Sequence, residues 1–200
     1  PMAELGGGGG AFIKTLEAAV IHGQVDMAVH SLKDVTTALA EETELVAYIQ
    51  AESVCDTLCL SASVASQHTE GSLDTLPPHL TIATGSIRRQ AQLAFHRPDF
   101  TTRSIRGNIG TRLQRLQEAP AEGMDALMVS EVGLLRLGEA HRPRIVMDPL
   151  KFVPAPGQGV ITVQVRSDHP KRALIGSINH PNQSDVSCLE MAILARLGMG

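Results

Sequence analysis

Between Thr84 and Arg115 the sequence places seven arginines (Arg88, Arg89, Arg97, Arg103, Arg106, Arg112 and Arg115) against one acid, Asp99. A planar guanidinium grips a carboxylate or a phosphate through two parallel bonds, so so dense a cluster is a candidate anion site. Thr84-Gly85-Ser86 stands where an apolar strand pattern gives way to a helical one. Free backbone N–H groups, a hydroxyl and Arg88 or Arg89 can converge there on a single anion. Arg106-Gly107-Asn108 and Gly110-Thr111-Arg112 repeat the arrangement at the next strand end, the place where α/β folds hold ligands. Arg97 and Arg115, late in their helices, suit the helix dipole and need no ligand. Arg88 and Arg89 fall in a first helical turn, where the dipole disfavours them, and an anion is the simplest reason for their presence.

A second stretch, Asp26-Met-Ala-Val-His30-Ser31-Leu-Lys33-Asp34, is an apolar strand opening into a loop of hydroxyl, ammonium and carboxylate groups. Such a loop can bind an anion and place a base, and a salt-bridged turn stays open as the alternative. His30 reads more simply as a hydrogen-bonded core histidine than as a catalyst. The glycine run Gly6–Gly10 has no following Lys-Ser/Thr and no preceding strand, which excludes a phosphate-binding P-loop. Cys55, Cys59 and Cys188 cannot pair completely or make a four-ligand zinc set. No metal site is expected, and the three read as thiols in a reducing cytoplasm, with Cys188 a small buried one.

The elements that must position these groups follow from periodicity. From Leu80 the pattern strand, polar turn, helix recurs three times: LTIAT then GSIRRQAQLAFHR, TTRSI then RGNIGTRLQRL, MDALMV then SEVGLLRLG. That is an α/β unit with a largely parallel sheet. Before it, a helix through Phe12, Leu16, Ala19 and Val20 and strands at Asp26–His30, Leu45–Ile49 and Thr57–Leu60 are predicted. The stretch Ser61–Pro78, rich in Ser, His, Thr and Pro, predicts a crossing into a second lobe. Pro154-Ala-Pro-Gly-Gln-Gly159 predicts another, before a strand at Val160–Val165 and helices near Lys171–Ile178 and Asp185–Leu197.

Composition narrows the partners. The 200 residues carry a formal net charge of −4, which excludes a generic polyanion binder. The charge is divided unevenly: before Arg88 there are 2 lysines, no arginine and 11 acids, and from Arg88 onward 15 basic residues face 10 acids. Aromatic residues make up only 2%, leaving few platforms on which unpaired bases could stack. No nucleic-acid partner is expected. No basic leader and no apolar run long enough to span a membrane is visible, so no membrane partner is expected either.

Taken together, HSLKD (His30–Asp34), TGSIRRQAQL (Thr84–Leu93), RSIRGNIGTRL (Arg103–Leu113), GLLRLG (Gly133–Gly138) and PGQGV (Pro156–Val160) resemble the porphobilinogen deaminase (hydroxymethylbilane synthase) family, in the family's order. The resemblance implies an enzyme that condenses four porphobilinogen molecules into hydroxymethylbilane, releasing ammonia each time. It also implies a dipyrromethane cofactor held covalently by one cysteine. The implied fold is α/β, with two periplasmic-binding-protein-like (type II) lobes of mixed, largely parallel sheets and the start of a small third α+β domain. By linker composition, residues 1–58 and 158–176 make domain 1, residues 62–153 domain 2, and residues 178–200 the start of domain 3. A catalytic cleft between the lobes is expected, in a cytoplasmic protein that is a monomer when complete.

Carried over by position, Asp34 matches the family's catalytic carboxylate. Ser31, Lys33, Thr84, Ser86, Arg88, Arg89, Arg106, Asn108, Arg112, Arg136, Gln158 and Gly159 match substrate and cofactor positions. Each pyrrole bears acetate and propionate groups, which gives the arginines a carboxylate to bind. The sequence departs from the family in three places. The glycine run replaces a segment that often contains a cofactor-contacting lysine. Gly85 stands where a second serine is common. Leu189–Gly200 resembles the helix leading to the cofactor-bearing cysteine, which is expected just beyond Gly200, and Cys188 is not assigned that role. The chain is therefore expected to be truncated at both ends and unable to turn over by itself. Alternatives from other classes are a non-catalytic two-lobed module for a small anion and a phosphate-ester enzyme using the Thr84 and Arg106 turns.

Overall fold

The computed structural model describes residues 9–67, 71–119 and 122–198. Gly6, Gly7 and Gly8 of the glycine run lie outside the described residues, while Gly9 and Gly10 open the first helix. The chain divides into two compact units, Pro1–Glu52 with Ala155–Gly200 and Ser53–Pro154. The second unit thus begins before the Ser61–Pro78 stretch that composition marks as a crossing. The physical reason is the strand Asp56–Leu60, whose five residues are all buried and hydrogen-bonded into the second unit's sheet.

In the first unit, helix α1 (Gly9–Ile21) precedes strands β1 (Ala28–Ser31) and β2 (Thr43–Ile49). Both strands pair antiparallel with a strand from much later in the chain, Ile161–Arg166, in the order β1, Ile161–Arg166, β2. A single 3-10 turn, Leu32–Asp34, continues from β1. Helices Arg172–Gly176 and Pro181–Arg196 follow, the second seated on β2 by polar contacts. Tyr48 N donates to Asn179 Oδ1 (2.8 Å) and Ala51 N to Gln183 Oε1 (3.1 Å). Val186, Leu189 and Ile193 on this helix, and Leu197 just past its end, are exposed. Cys188, expected to be buried, is exposed as well and donates to Tyr48 Oη (3.8 Å).

A buried polar chain ties this unit together. Gln164 Nε2 donates to Glu17 Oε1 (2.9 Å) and Thr43 Oγ1 (2.8 Å), which leaves Gln164 Oε1 to accept from His30 Nε2 (3.0 Å). The carbonyl end of the amide can only accept, so His30 carries its proton on Nε2. His30 is a satisfied core histidine. It fixes the base of the turn that carries Asp34.

The second unit is a five-stranded sheet. In chain order its elements are β3 (Asp56–Leu60), α2 (Ala62–Ala65), β4 (Thr81–Ala83), α3 (Ile87–His96), β5 (Thr101–Arg103), α4 (Ile109–Gln117), β6 (Ala126–Ser130), α5 (Glu131–Arg136) and β7 (Arg144–Val146). The strand order is β5-β4-β6-β3-β7. β4 is parallel to β5 and β6, and β3 is antiparallel to β6 and β7. Parallel pairing therefore falls where the strand, turn, helix repeat runs, because helical crossovers return the chain in the same direction. With both faces covered, β3 and β6 are apolar at consecutive positions rather than alternate ones. Leu58, Leu60, Ala126 and Met128 pack on one face with Ile82, Leu93 and Phe152. Cys59, Leu127 and Val129 pack on the other with Leu113, Leu116 and Leu134. In the first unit, β8 (Ile161–Arg166) carries Val163 and Val165 into a smaller core with Ala47, to which α6 (Arg172–Gly176) adds Ile175, while α7 (Pro181–Arg196) packs Met191 on a separate cluster of Leu32, Val35 and Val160.

Candidate functional site

Two strand-to-helix turns of the second unit lie side by side because β4 and β5 are parallel neighbours. Thr84 N donates to Arg103 O (2.8 Å), extending that pairing past the strand end. Ser86 caps α3, its Oγ accepting from Arg89 N (3.5 Å), and Ser86 N donates to Thr84 Oγ1 (3.2 Å). Asn108 caps α4 more tightly, its Oδ1 accepting from Thr111 N (2.8 Å) and Thr111 Oγ1 (3.0 Å). A cap of this type stabilises a helix by about 1 kcal/mol and aims the remaining first-turn N–H groups outward.

The turns approach so closely that a Cβ on Gly85 would stand 2.9 Å from Ile105 O. Between them is a cavity of about 370 Å³ lined by Gly85, Ser86, Arg89, Ser104, Ile105, Arg106, Gly107 and Arg112. Thr84 is wholly buried beneath the turn, and Asn108 sits at its edge as the α4 cap.

Charge decides what this cavity suits. Asp56, the first residue of β3, has no exposed surface. Arg89 donates to its Oδ1 through Nε (2.9 Å) and Nη2 (2.7 Å), and Arg88 Nη1 lies 2.7 Å from its Oδ2. Burial alone would push the Asp56 carboxyl up, but the hydrogen bond from Arg88 and the charge of Arg89 together hold it below its ordinary value. The internal carboxylate explains two cations in a first helical turn. The sequence carries no local sign of it, because the pair spans 33 residues and the acid sits at the edge of an apolar run.

Arg112 has no carboxylate against it among the described residues. Its Nε donates to Gly107 O (2.7 Å), and burial, then the neighbouring Arg89 charge, holds its guanidinium below its ordinary value. Arg106 is exposed and likewise faces no carboxylate among the described residues. Three guanidiniums, those of Arg89, Arg106 and Arg112, thus line the cavity with no carboxylate in its lining, and an entering anion would relieve their mutual repulsion.

The remaining arginines of the cluster have partners of their own. Arg97 forks onto Asp99 (2.8 and 2.7 Å), donates to the carbonyls of Leu73, Leu76 and Pro77, and lies over the Phe100 ring. Arg103 and Arg115 share Glu122 at 3.6 and 2.6 Å. Arg136 is exposed in the last turn of α5, outside the cavity lining.

In the first unit, the turn bearing Asp34 is anchored from below. Leu32 N donates to Val160 O (2.9 Å), Val35 N donates to Leu32 O (2.9 Å), and the Leu32 side chain is fully buried. Burying a leucine stabilises by about 1.5–3 kcal/mol, enough to hold a short turn in place. Gly157 packs directly on that side chain: a Cβ there would meet Leu32 Cγ at 2.7 Å, and its φ of +69° is in the glycine-favoured region. Gln158 and Gly159 follow, both buried, so the PGQGV and HSLKD segments meet at one end of the sheet. Ser31, Lys33 and Asp34 are exposed there. Among the described residues no group of His, Cys, Asp and Glu is arranged to hold a metal ion, and no helix is long and apolar enough to cross a membrane.

Comparison with known proteins adds the identity of the family. The chain matches the family model described as porphobilinogen deaminase, dipyromethane cofactor binding domain, over residues 1–173. It is 38% identical over 193 residues to porphobilinogen deaminase of Coxiella burnetii (strain Dugway 5J108-111), covering 96% of this chain and 59% of that protein. The enzyme of Coxiella burnetii strain RSA 331 / Henzerling II matches to the same extent. The chain thus spans about three fifths of the length of the curated relatives it matches. Among solved structures, the second substrate binding domain of a putative amino acid ABC transporter from Streptococcus pneumoniae has a TM-score of 0.45 at 13% identity, covering 92% of this chain and 73% of that one. A likeness of that size says nothing of function. The family match and the relatives together establish that this chain belongs to the porphobilinogen deaminase family.

Proposed function

We propose that this chain takes part in the deaminase reaction of its family, joining porphobilinogen units head to tail into hydroxymethylbilane with loss of ammonia. The observation that carries the reading is the cavity between the Ser86 and Arg106 turns, where cations outnumber carboxylates. Porphobilinogen bears one acetate and one propionate, so each added ring brings two further anions for such a site. Arg112 and Arg106, which face no carboxylate among the described residues, take the first of these; Arg89 contributes its field while held by Asp56. The exposed Ser31 and Lys33 add a hydroxyl and an ammonium group beside Asp34, with Gln158 and Gly159 close behind them.

Loss of ammonia leaves an electron-poor pyrrole whose ring nitrogen gains positive charge. A fixed carboxylate near that nitrogen stabilises the charge and passes a proton on. Asp34 suits the task, because its backbone is anchored through Leu32 while its side chain faces solvent.

Dipyrromethane supplies the primer on which the new bond is made. Its acetate and propionate groups suit the donor set of the cavity, and Ser86, Arg106 and Arg112 are the residues that would hold them. The rest of the reading is a cytoplasmic monomer without nucleic-acid or membrane partners. Cys55, Cys59 and Cys188 as free thiols support the compartment.

The test is incubation with porphobilinogen of this chain extended to the full length of its relatives, of which it covers 59%, following ammonia release and the mass of the protein. Ammonia release with mass added in pyrrole-sized steps is expected. Binding of porphobilinogen without either change would leave only the non-catalytic anion-binding module.

A further inference from the structure

The second unit begins at Ser53 and ends at Pro154. The chain therefore enters it three residues before Asp56 and leaves it one residue after Val153. Arg88 holds both places: its Nη1 lies 2.7 Å from Asp56 Oδ2 and also donates to Val153 O. One turn along α3, Gln92 closes a reciprocal pair on the same residue. Val153 N donates to Gln92 Oε1 (2.6 Å), and Gln92 Nε2 donates to Val153 O (3.0 Å). A further turn along, His96 Nε2 lies 3.0 Å from Lys151 O. Side chains four residues apart share a helix face. Residues 88, 92 and 96 thus form a single line along which the outgoing backbone 151–153 is laid.

Phe152, between the two held residues, turns inward, is 2% exposed, and stacks on the His96 ring. The incoming segment is fastened to the same place: Met147 N donates to Asp56 O (2.9 Å) and Glu131 N to Cys55 O (3.0 Å). Residues 148–154 contain neither strand nor helix, so these side-chain bonds supply partners that regular structure would otherwise provide.

We propose that Arg88 is a positioning residue for the two crossings, one guanidinium fixing both the point of entry and the point of exit of the second unit. Movement of the chain between the units is then confined to the few residues outside Asp56 and Val153. Gln92 shares only the exit. The proposal stands apart from the deaminase reading, because it concerns the protein without ligand.

Hydrogen exchange of the whole chain, read on peptides covering residues 50–57 and 150–157, tests it. Arg88→Gln is expected to accelerate exchange in both segments by about fivefold to thirtyfold. Arg88→Lys keeps the charge but not the planar guanidinium whose Nη1 reaches both partners, and is expected to accelerate both to a lesser degree. Gln92→Ala should accelerate only the exit segment. Arg97→Gln, which removes bonds elsewhere in the same unit, should leave both segments at the wild-type rate. Unchanged exchange in the two Arg88 variants overturns the proposal. So does acceleration in one segment alone, or acceleration of the same size throughout residues 53–154.

Discussion

Arg89 and Asp56 meet through two bonds to one oxygen, with Arg89 Nε and Nη2 at 2.9 and 2.7 Å from Asp56 Oδ1 and the carboxylate wholly enclosed. The pair joins the first turn of α3 to the first residue of β3 beside the cavity between the Ser86 and Arg106 turns. Arg89 Nη1 also reaches Met128 O (3.3 Å) on β6, so one guanidinium bridges helix and sheet.

Removing the acid leaves a buried cation without its counter-charge. Asp56→Ala is expected to destabilise the second unit by about 3–5 kcal/mol in urea denaturation, the range for a broken buried pair. The folded carboxyl titrates below its ordinary value of 3.8. Its contribution is therefore complete above about pH 4 and is lost as the pH falls through the lower folded value. Asp56→Asn should flatten that part of the acid unfolding profile. An acid profile identical to wild type would show that the carboxylate carries no such linkage.

Gly85 tests how tightly the two turns must approach. Serine at this position would bring Cβ within 2.9 Å of the Ile105 carbonyl, a backbone atom that cannot swing aside. Gly85→Ser is expected to cost about 1–3 kcal/mol by overpacking. It should also weaken porphobilinogen binding by moving Ser86 away from Arg106. A Gly85→Ser protein as stable as wild type would mean that the α3 turn shifts freely.

The three thiols differ enough to be told apart by labelling. Cys188 is exposed and should react with a maleimide in the folded state. Cys59 is fully buried, and burial pushes its thiol up to about 12, so it should react only on unfolding. Peptide mapping after a short pulse is expected to find the label on Cys188, less on half-buried Cys55, and none on Cys59. Label on Cys59 at early times would contradict the packing of β3 between the two cores.

The parts legible in the sequence are those written in local pattern. The strand, turn, helix repeat after Leu80 marks β4 to α5 to within a few residues, and Ser86 and Asn108 announce their helices as caps. His30 was readable as a core histidine because it sits in an apolar strand. What was not legible depends on distant partners. Asp56 carries no local sign that two arginines more than thirty residues away will claim it. The polar stretch after Leu60 resembles a linker, yet β3 ahead of it is already inside the second unit, because its pairing with β6 and β7 outweighs composition. Cys188 looked like a core residue by type, but it faces outward on a helix with exposed apolar residues.

In the proposed function, substrate carboxylates are bound by Arg106 and Arg112, which face no acid among the described residues. Calorimetric titration of porphobilinogen into the protein and into Arg112→Gln tests this directly, with Arg115→Gln as the control because Arg115 is paired with Glu122 at 2.6 Å. Loss of one charge-assisted bond, about 1.5–3 kcal/mol, should weaken binding by Arg112→Gln roughly tenfold to a hundredfold, while Arg115→Gln binds like wild type. Equal affinity of Arg112→Gln and wild type would contradict the assignment of the cavity.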